Sequence, residues 1–395
     1  MILISYLLIV IGIYISIYIT YDLILLLSNY FLKDKDVSFS APTTRFGIII
    51  PAHNEELLLD RLLKSISDQD YPVGMAKAVV VADNCSDNTA KIGLASNARV
   101  LERSDDQHRG KGYAIKFALE TLDMSAYDAI FIIDADSIIK NDIFTQLDKA
   151  LRNGNKIIQC YNGVANPGQS WFTRLLDVSR TVGNEILQPA KQKLGLSSNL
   201  MGNGMCFASN LLMQYGWDAF TVGEDWEYYA KLVQAGETVA FANKARVYHQ
   251  ESSSLKQATS QRMRWSSGRF AVAWQYGIEL FYRGLLEGSL RKMDASLPLL
   301  FPNPSLGMNI TLVGIVLSLI PGLAFHKYDY LLWFLLLVLV QTMIFLVGIM
   351  HTRDKLKNFL SLFAAPLFLI WKMGVDAFSA AGLGRKKWIR TERKL

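Results

Sequence analysis

The stretch "IFIIDADS" (residues 130–137) begins as a buried strand and ends in two acids separated by a single residue. Ile and Phe suit a strand interior, and Asp does not. Asp and Ser after a strand also suit a plain turn or the cap of a following helix. The two readings separate on whether other strands of the chain end in the same way.

They do. "RFGIII" (45–50) runs into "PAHNEE", which holds Asn54 and Glu55, and "KAVVVAD" (77–83) stops at Asp83. Lys111 follows in "RGKG" (109–112), just ahead of the next helical stretch. Between and beyond these strands, "NEELLLDRLLKSISD", "SDNTAKIGLAS", "GKGYAIKFALETL" and "KNDIFTQLDKALRNG" space their apolar residues as helices do. "ARVLE" and "KIIQCYN" add two more strands. This alternation predicts an α/β fold, a doubly wound and mostly parallel sheet with ligands at the carboxyl ends of its strands. One acid at a strand end is a cap; three successive strands ending in polar groups predict a ligand rim. A dinucleotide glycine fingerprint is missing after the first strand, and "RGKG" lacks the full phosphate-loop pattern.

Apolar residues are half of the 395, unevenly spread. Residues 1–21, 306–325 and 330–350 contain no charge, and each run approaches the roughly 20 residues a helix needs to cross a bilayer. The expected organisation is an N-terminal transmembrane anchor (1–32), a cytoplasmic soluble domain (33–254), interfacial helices (255–304), two transmembrane helices (305–350), and an interfacial or re-entrant helix with a basic tail (351–395). The first run lacks the positive n-region and cleavage site of a signal peptide, so a retained anchor is expected. "HTRDKLKN" carries Arg353, Lys355 and Lys357, and "RKKWIRTERKL" has six basic residues against one acid. Both belong on the cytoplasmic side by the positive-inside rule. Residues 359–384 contain an uncharged run of only 13, "FLSLFAAPLFLIW", followed by Lys372 and Asp376, which predicts a helix in the interface or entering partway. Net charge is +6 with pI near 9.0, but the excess lies by the membrane-adjacent segments, where anionic headgroups are the expected partner and nucleic acid is not. Cys85, Cys160 and Cys206 show no disulfide or zinc spacing.

Two acids spaced by one residue, Asp134 and Asp136, suit a hard divalent cation that keeps substrate phosphates among its ligands, and Lys111 suits a diphosphate. "VGEDWEYYAKLVQAG" (222–236) puts Glu224 and Asp225 at a helix start, where acids also simply complement the dipole. "QRMRWSSGR" (261–269) reads equally as a basic, aromatic interfacial stripe.

Taken in order, "PAHNEE", "VVADNCSDNT", "GKGYAI", "DADS", "GNGMCF", "GEDWEYYAKL" and "QRMRW" resemble the family 2 glycosyltransferases, the inverting membrane type that includes cellulose, chitin and hyaluronan synthases. The resemblance covers about 50–270. It implies a GT-A fold, a nucleotide-sugar donor (a UDP-sugar first), Mg²⁺ or Mn²⁺, and a glycan or lipid acceptor. By motif position, Asn54 and Glu55 would line the nucleoside pocket and Asp83 would contact the base. Lys111 would sit near the diphosphate, Asp134 would touch nucleotide and metal, and Asp136 would be the principal metal ligand. Asp225 would be the general base, with Glu224 beside it. Gln261, Arg264 and Trp265, together with Gly202 and Asn203, would serve diphosphate and acceptor. "WIRTER" is similar to a gating-loop motif and would make Trp388, Thr391 and Arg393 a nucleotide-closing tail. Gly223 stands where the family often has Thr. His53 and His249 match no catalytic position and read as structural.

The chemistry agrees: a departing diphosphate needs neutralising, and an attacking hydroxyl needs a carboxylate within hydrogen-bond reach. Free N–H groups at the helix start predict a low pKa for Asp225. The leading expectation is transfer to a growing cell-surface polysaccharide or oligosaccharide. The alternative is single-sugar transfer to a lipid, as in ceramide glucosyltransferase-like enzymes. A nucleotide-regulated scaffold without catalysis is a third.

Overall fold

The structure, a computed structural model, describes residues 2–32 and 41–382. Its centre is β1 (Phe46–Ala52), whose first five residues are all buried, as a strand covered on both faces requires. β1 pairs in parallel with β2 (Ala76–Asp83) and β4 (Ala129–Ile132), and β2 pairs in parallel with β3 (Arg99–Arg103). The crossovers are α2 (Leu59–Ser67), α3 (Thr89–Ala95) and α4 (Lys111–Thr121). After β4 the chain turns through Asp134–Asp136 into β5 (Ser137–Ile139), α5 (Ile143–Arg152) and β6 (Ile157–Val164). α6 (Trp171–Thr181) continues through a π-helical turn at Val182–Leu187 into α7 (Gln188–Lys193). Then come β7 (Met205–Ala208), α8 (Ser209–Tyr215), α9 (Glu224–Gln234) and β8 (Val239–His249).

The strand order is β3-β2-β1-β4-β7-β6-β8-β5. β7 runs antiparallel to both β4 and β6, and β5 antiparallel to β8, so the sheet is mixed rather than purely parallel. The reversal has a consequence for the site. Ile132 at the end of β4 pairs with Met205 at the start of β7, so Gly202 and Asn203, which feed β7, arrive beside the acids that follow β4. Alternate residues of the central strands face opposite layers. Ile49, Val79, Val81, Ile130 and Ile132 meet Tyr228 and Tyr229 of α9, whereas Phe46, Ile48, Ile50 and Phe131 meet Phe144 of α5. Each such fully buried side chain contributes about 1.5–3 kcal/mol.

Beyond β8, α10 (Leu255–Val272) passes through a second π-helical turn at Ala273–Gly277 into α11 (Ile278–Leu286), followed by α12 (Leu290–Leu300). α13 (Pro304–Phe325), α14 (Asp329–His351), α15 (Lys355–Ser361) and α16 (Ala365–Ala380) complete the chain, and α1 (Ile2–Phe31) packs against α13 and α14. Four helices are long and apolar enough to cross a membrane by length and composition: Ile2–Phe31, Pro304–Phe325, Asp329–His351 and the continuous Lys355–Ala380. In the last of these, Lys372 and Asp376 pair with each other, and both bond the Ser266 hydroxyl of α10. The polar face that made this segment ambiguous is turned onto α10. α1 is tied to the sheet domain by Asn29, which donates to the Glu185 carbonyl at 2.9 Å, and to α12 by Tyr21, which donates to Asp294 at 2.8 Å.

Candidate active site

The rim forms where β1, β2 and β4 end. The His53 ring lies 2.7 Å from the Asp83 carbonyl, and Asn54 accepts the Ser86 amide at 2.7 Å from a left-handed backbone (φ 56) that Asn tolerates. These bonds knit the loops after β1 and β2 together. Asp83 is buried, with Oδ1 taking the Arg103 guanidinium at 2.6 Å; burial raises its pKa, and Arg103 opposes the shift. Lys111 opens α4 and reaches both the Asp134 carboxylate and the Gly202 carbonyl. Burial works against its charge, but Asp134, Glu224 and Asp225 outweigh burial and raise its pKa.

Glu224 and Asp225 open α9 across from this lysine. Asp225 Oδ1 accepts the Trp226 amide at 2.9 Å, the helix-start bond that predicted a low pKa. The direction is the reverse. Withdrawal from water raises the Asp225 carboxyl to about 6, and neither the Trp226 amide nor Lys111 offsets it. Glu224 is likewise raised, by burial first and by the Asp225 charge second. One lysine faces three acids, an excess of negative charge.

One cavity of 1980 Å³ joins these residues. Its walls include Glu55, Asp83, Lys111, Asp134, Asp136, Gly202, Glu224 and Asp225, then Gln261, Arg264 and Trp265 from α10. Gln261 is buried, and its side-chain oxygen has no hydrogen-bond partner among the described residues. Two expected residues are off the wall. Asn54 is turned to Ser86, and Asn203 is buried behind the acids, where Oδ1 accepts the Asp134 amide at 3.1 Å and Nδ2 donates to Ser137 at 2.9 Å. Asn203 braces the acid turn and does not face the cavity. Trp388, Thr391 and Arg393 lie outside the described residues.

Sequence reasoning missed a second cluster. Buried Glu251 takes Arg262 at 2.6 Å, the His249 ring at 2.9 Å and Arg180 at 3.7 Å. Burial acts to raise its pKa, but the Arg262 and Arg180 guanidiniums and the His249 hydrogen bond hold the carboxyl well below its usual range. The Arg262 guanidinium also lies 4.6 Å from the Trp265 ring centre, so Glu251 orients the tryptophan through Arg262. Arg180 and Glu251 fall between the motifs, where spacing gives no signal. The reading of His249 as structural agrees with its two bonds, to Asn162 and Glu251, each 2.9 Å.

The cavity does not stop at Trp265. Its wall also takes in α13 and α14, through the apolar Leu312, Val316, Leu317, Val338 and Phe345 with the polar Asn309, Gln341 and Thr342 among them.

Among the described residues no three His, Cys, Asp or Glu side chains are preassembled for a metal. Asp134 and Asp136 supply oxygen donors only, beside an acid excess that a divalent cation would balance. Such a donor pair fits Mg²⁺ or Mn²⁺ with diphosphate oxygens completing the shell.

The profile of the family described as "Glycosyltransferase like family 2" matches residues 42–268. Among curated proteins, the chain is similar to the probable glycosyltransferase YdaM of Bacillus subtilis, 24% identical over 247 residues (60% of this chain, 58% of that one). It is similar to the beta-monoglucosyldiacylglycerol synthase of a Nostoc species, 24% identical over 261 residues (60% and 51%). It is also similar to the 4,4'-diaponeurosporenoate glycosyltransferase of Staphylococcus haemolyticus, 31% identical over 188 residues (44% and 48%). The chain thus spans about half the length of these relatives. Among solved structures, the mannosyltransferase PcManGT of Pyrobaculum calidifontis, in complex with GDP-Man and Mn²⁺, shares the fold: TM-score 0.52 at 17% identity, over 88% of this chain and 99% of that one.

Proposed function

Because the chain belongs to the glycosyltransferase-like family 2 and has the GT-A fold, we propose that it is a membrane enzyme that moves a sugar from a nucleoside diphosphate to a lipid hydroxyl, with inversion. The observation that carries the acceptor class is the cavity, whose wall holds both Asp225 and apolar side chains of membrane-type helices. Lipid tails fit such walls; a hydrated glycan does not.

In this reading Asp134 and Asp136 would hold a divalent ion, which would supply charge neutralisation to the departing diphosphate. Lys111 supports the same oxygens. Asp225 takes the proton as the acceptor oxygen attacks the anomeric carbon from the face opposite the nucleotide. Its raised pKa suits a base working near neutrality better than an ordinary aspartate would. Gln261 and Trp265 flank the sugar, one with an open acceptor and one with an aromatic face.

A second reading, extension of a polysaccharide as in the cellulose, chitin and hyaluronan synthases, draws on "QRMRW" and on Trp265 in the cavity wall. Purified protein in vesicles, given a radiolabelled nucleotide-sugar panel, separates the two. Label in the organic phase as a lipid of one added sugar supports lipid transfer. Label in a water-soluble polymer would overturn it.

A further inference from the structure

Asp22 ends the uncharged run of residues 1–21 and lies in α1, a helix apolar enough to cross the membrane. An acid in such a helix is costly, and it turns toward a partner or a cavity. Asp22 is 9% exposed and lines the cavity that holds Asp225. It forms no ion pair among the described residues. The Arg269 guanidinium, on the same wall, lies 5.9 Å from the ring of Trp226, whose amide donates to Asp225.

Other charges on this wall are engaged. Lys191 pairs with Asp294 at 3.0 Å, Lys372 with Asp376, and Arg262 with Glu251. Arg269 donates to the Pro298 and Phe301 carbonyls. The same cavity also has Leu312, Val316 and Val338 on its wall. A lipid with its tails against these and its reacting hydroxyl at Asp225 lies in the cavity that Asp22 also lines. Asp225 takes the reacting hydroxyl, which leaves Asp22 as a hydrogen-bond acceptor for another donor. A buried hydrogen-bonding group is left without its partner by a head with one hydroxyl.

We infer that Asp22 binds a second, non-reacting hydroxyl of the acceptor, so that the acceptor is a lipid with a polyol or sugar head. The inference rests on the lipid-transfer reading.

The experiment uses the full chain in phosphatidylcholine vesicles with three acceptors: diacylglycerol (one hydroxyl), a monoglucosyl diacylglycerol (a sugar head) and a polyprenyl phosphate (anionic). Wild type should use the sugar-headed lipid best. Asp22→Ala and Asp22→Ser should raise KM for it by about fivefold or more, as loss of a buried hydrogen bond implies, with nucleotide affinity kept. Preference for the phosphate or for diacylglycerol overturns the inference, as does an unchanged KM in a variant that still binds nucleotide. The ranking is read on wild type and stands even where a variant misfolds. Hydrolysis of the nucleotide sugar without sugar on any lipid sinks the lipid-transfer reading itself, and the inference with it.

Discussion

Arg262 and Glu251 meet at 2.6 Å, with the carboxylate only 1% exposed, beneath the tryptophan that Arg262 covers. Glu251→Gln keeps the shape but leaves Arg262 and Arg180 without their counter-charge. Breaking a buried pair in this way costs about 3–5 kcal/mol. A lowered folded pKa means the stabilisation is present above the ordinary carboxylate range and lost as pH falls through the folded value. Thermal melts of Glu251→Gln should therefore sit well below wild type at pH 7 and converge with it in acid. Equal melting temperatures at pH 7 would show the cluster to be dispensable.

Gly202 has φ 76, and a Cβ there would lie 3.1 Å from Asp225 Oδ2. Gly202→Ala adds backbone strain and pushes the base. Displacements of about 1 Å cost up to about a hundredfold in rate, so turnover should fall at least about tenfold while nucleotide affinity changes little. Wild-type turnover in Gly202→Ala would remove the tight contact between the two residues as a feature of catalysis.

Asp136→Ala should abolish turnover, and EDTA should do the same to wild type, with Mg²⁺ or Mn²⁺ restoring it. Calorimetry offers a readout besides activity: nucleoside diphosphate affinity should depend on the divalent ion in wild type and lose that dependence in Asp136→Ala. Full activity in EDTA would end the metal assignment.

The strand-end acids were legible in sequence because a buried β-strand leaves few reasons for "DAD". The helices before and after them were legible by their apolar spacing. Asn203 was not, since a motif position does not say whether a side chain faces the cavity or the turn behind it, and antiparallel β7 decides that. Asp225 was misread for a related reason. A helix start lowers a carboxyl pKa only while water reaches it, and the enclosure by Glu224, Asp134 and the cavity walls is a tertiary fact. Arg180 and Glu251 lie 71 positions apart and meet only through the fold.

Topology is tested at two introduced cysteines. Lys327→Cys, between α13 and α14, should react with an impermeant reagent on intact cells. Lys394→Cys, beyond the described residues, should react only after permeabilisation if α16 lies along α10, as its bonds to Ser266 and Thr259 suggest. Labelling of Lys394→Cys from outside would mean that Lys355–Ala380 crosses the bilayer.

The last prediction sets activity against stability across one pH window. Asp225 must be ionised to accept a proton, and burial raises its pKa to about 6, against about 4 in an unfolded chain. Transfer should therefore rise with pH through about 6, well above the ordinary aspartate range, and Asp225→Asn should be slower by about 10² or more with that inflection gone. Stability runs the other way. A carboxyl whose folded pKa lies above its unfolded value favours the folded state most below the unfolded value, and that contribution is lost as pH rises through the folded one. Glu224, raised to about 7, acts with the same sign. Through these two groups the nucleotide-free protein should thus be less stable at pH 7.5 than at pH 5. Asp225→Asn, which cannot ionise, should flatten that slope while keeping nucleotide affinity. Glu251 contributes oppositely only in more acidic solution, so the two slopes separate in pH. A wild-type inflection near pH 4, or an Asp225→Asn melt that still falls between pH 5 and 7.5 as steeply as wild type, would show that Asp225 sits in water and is not the base this cavity encloses.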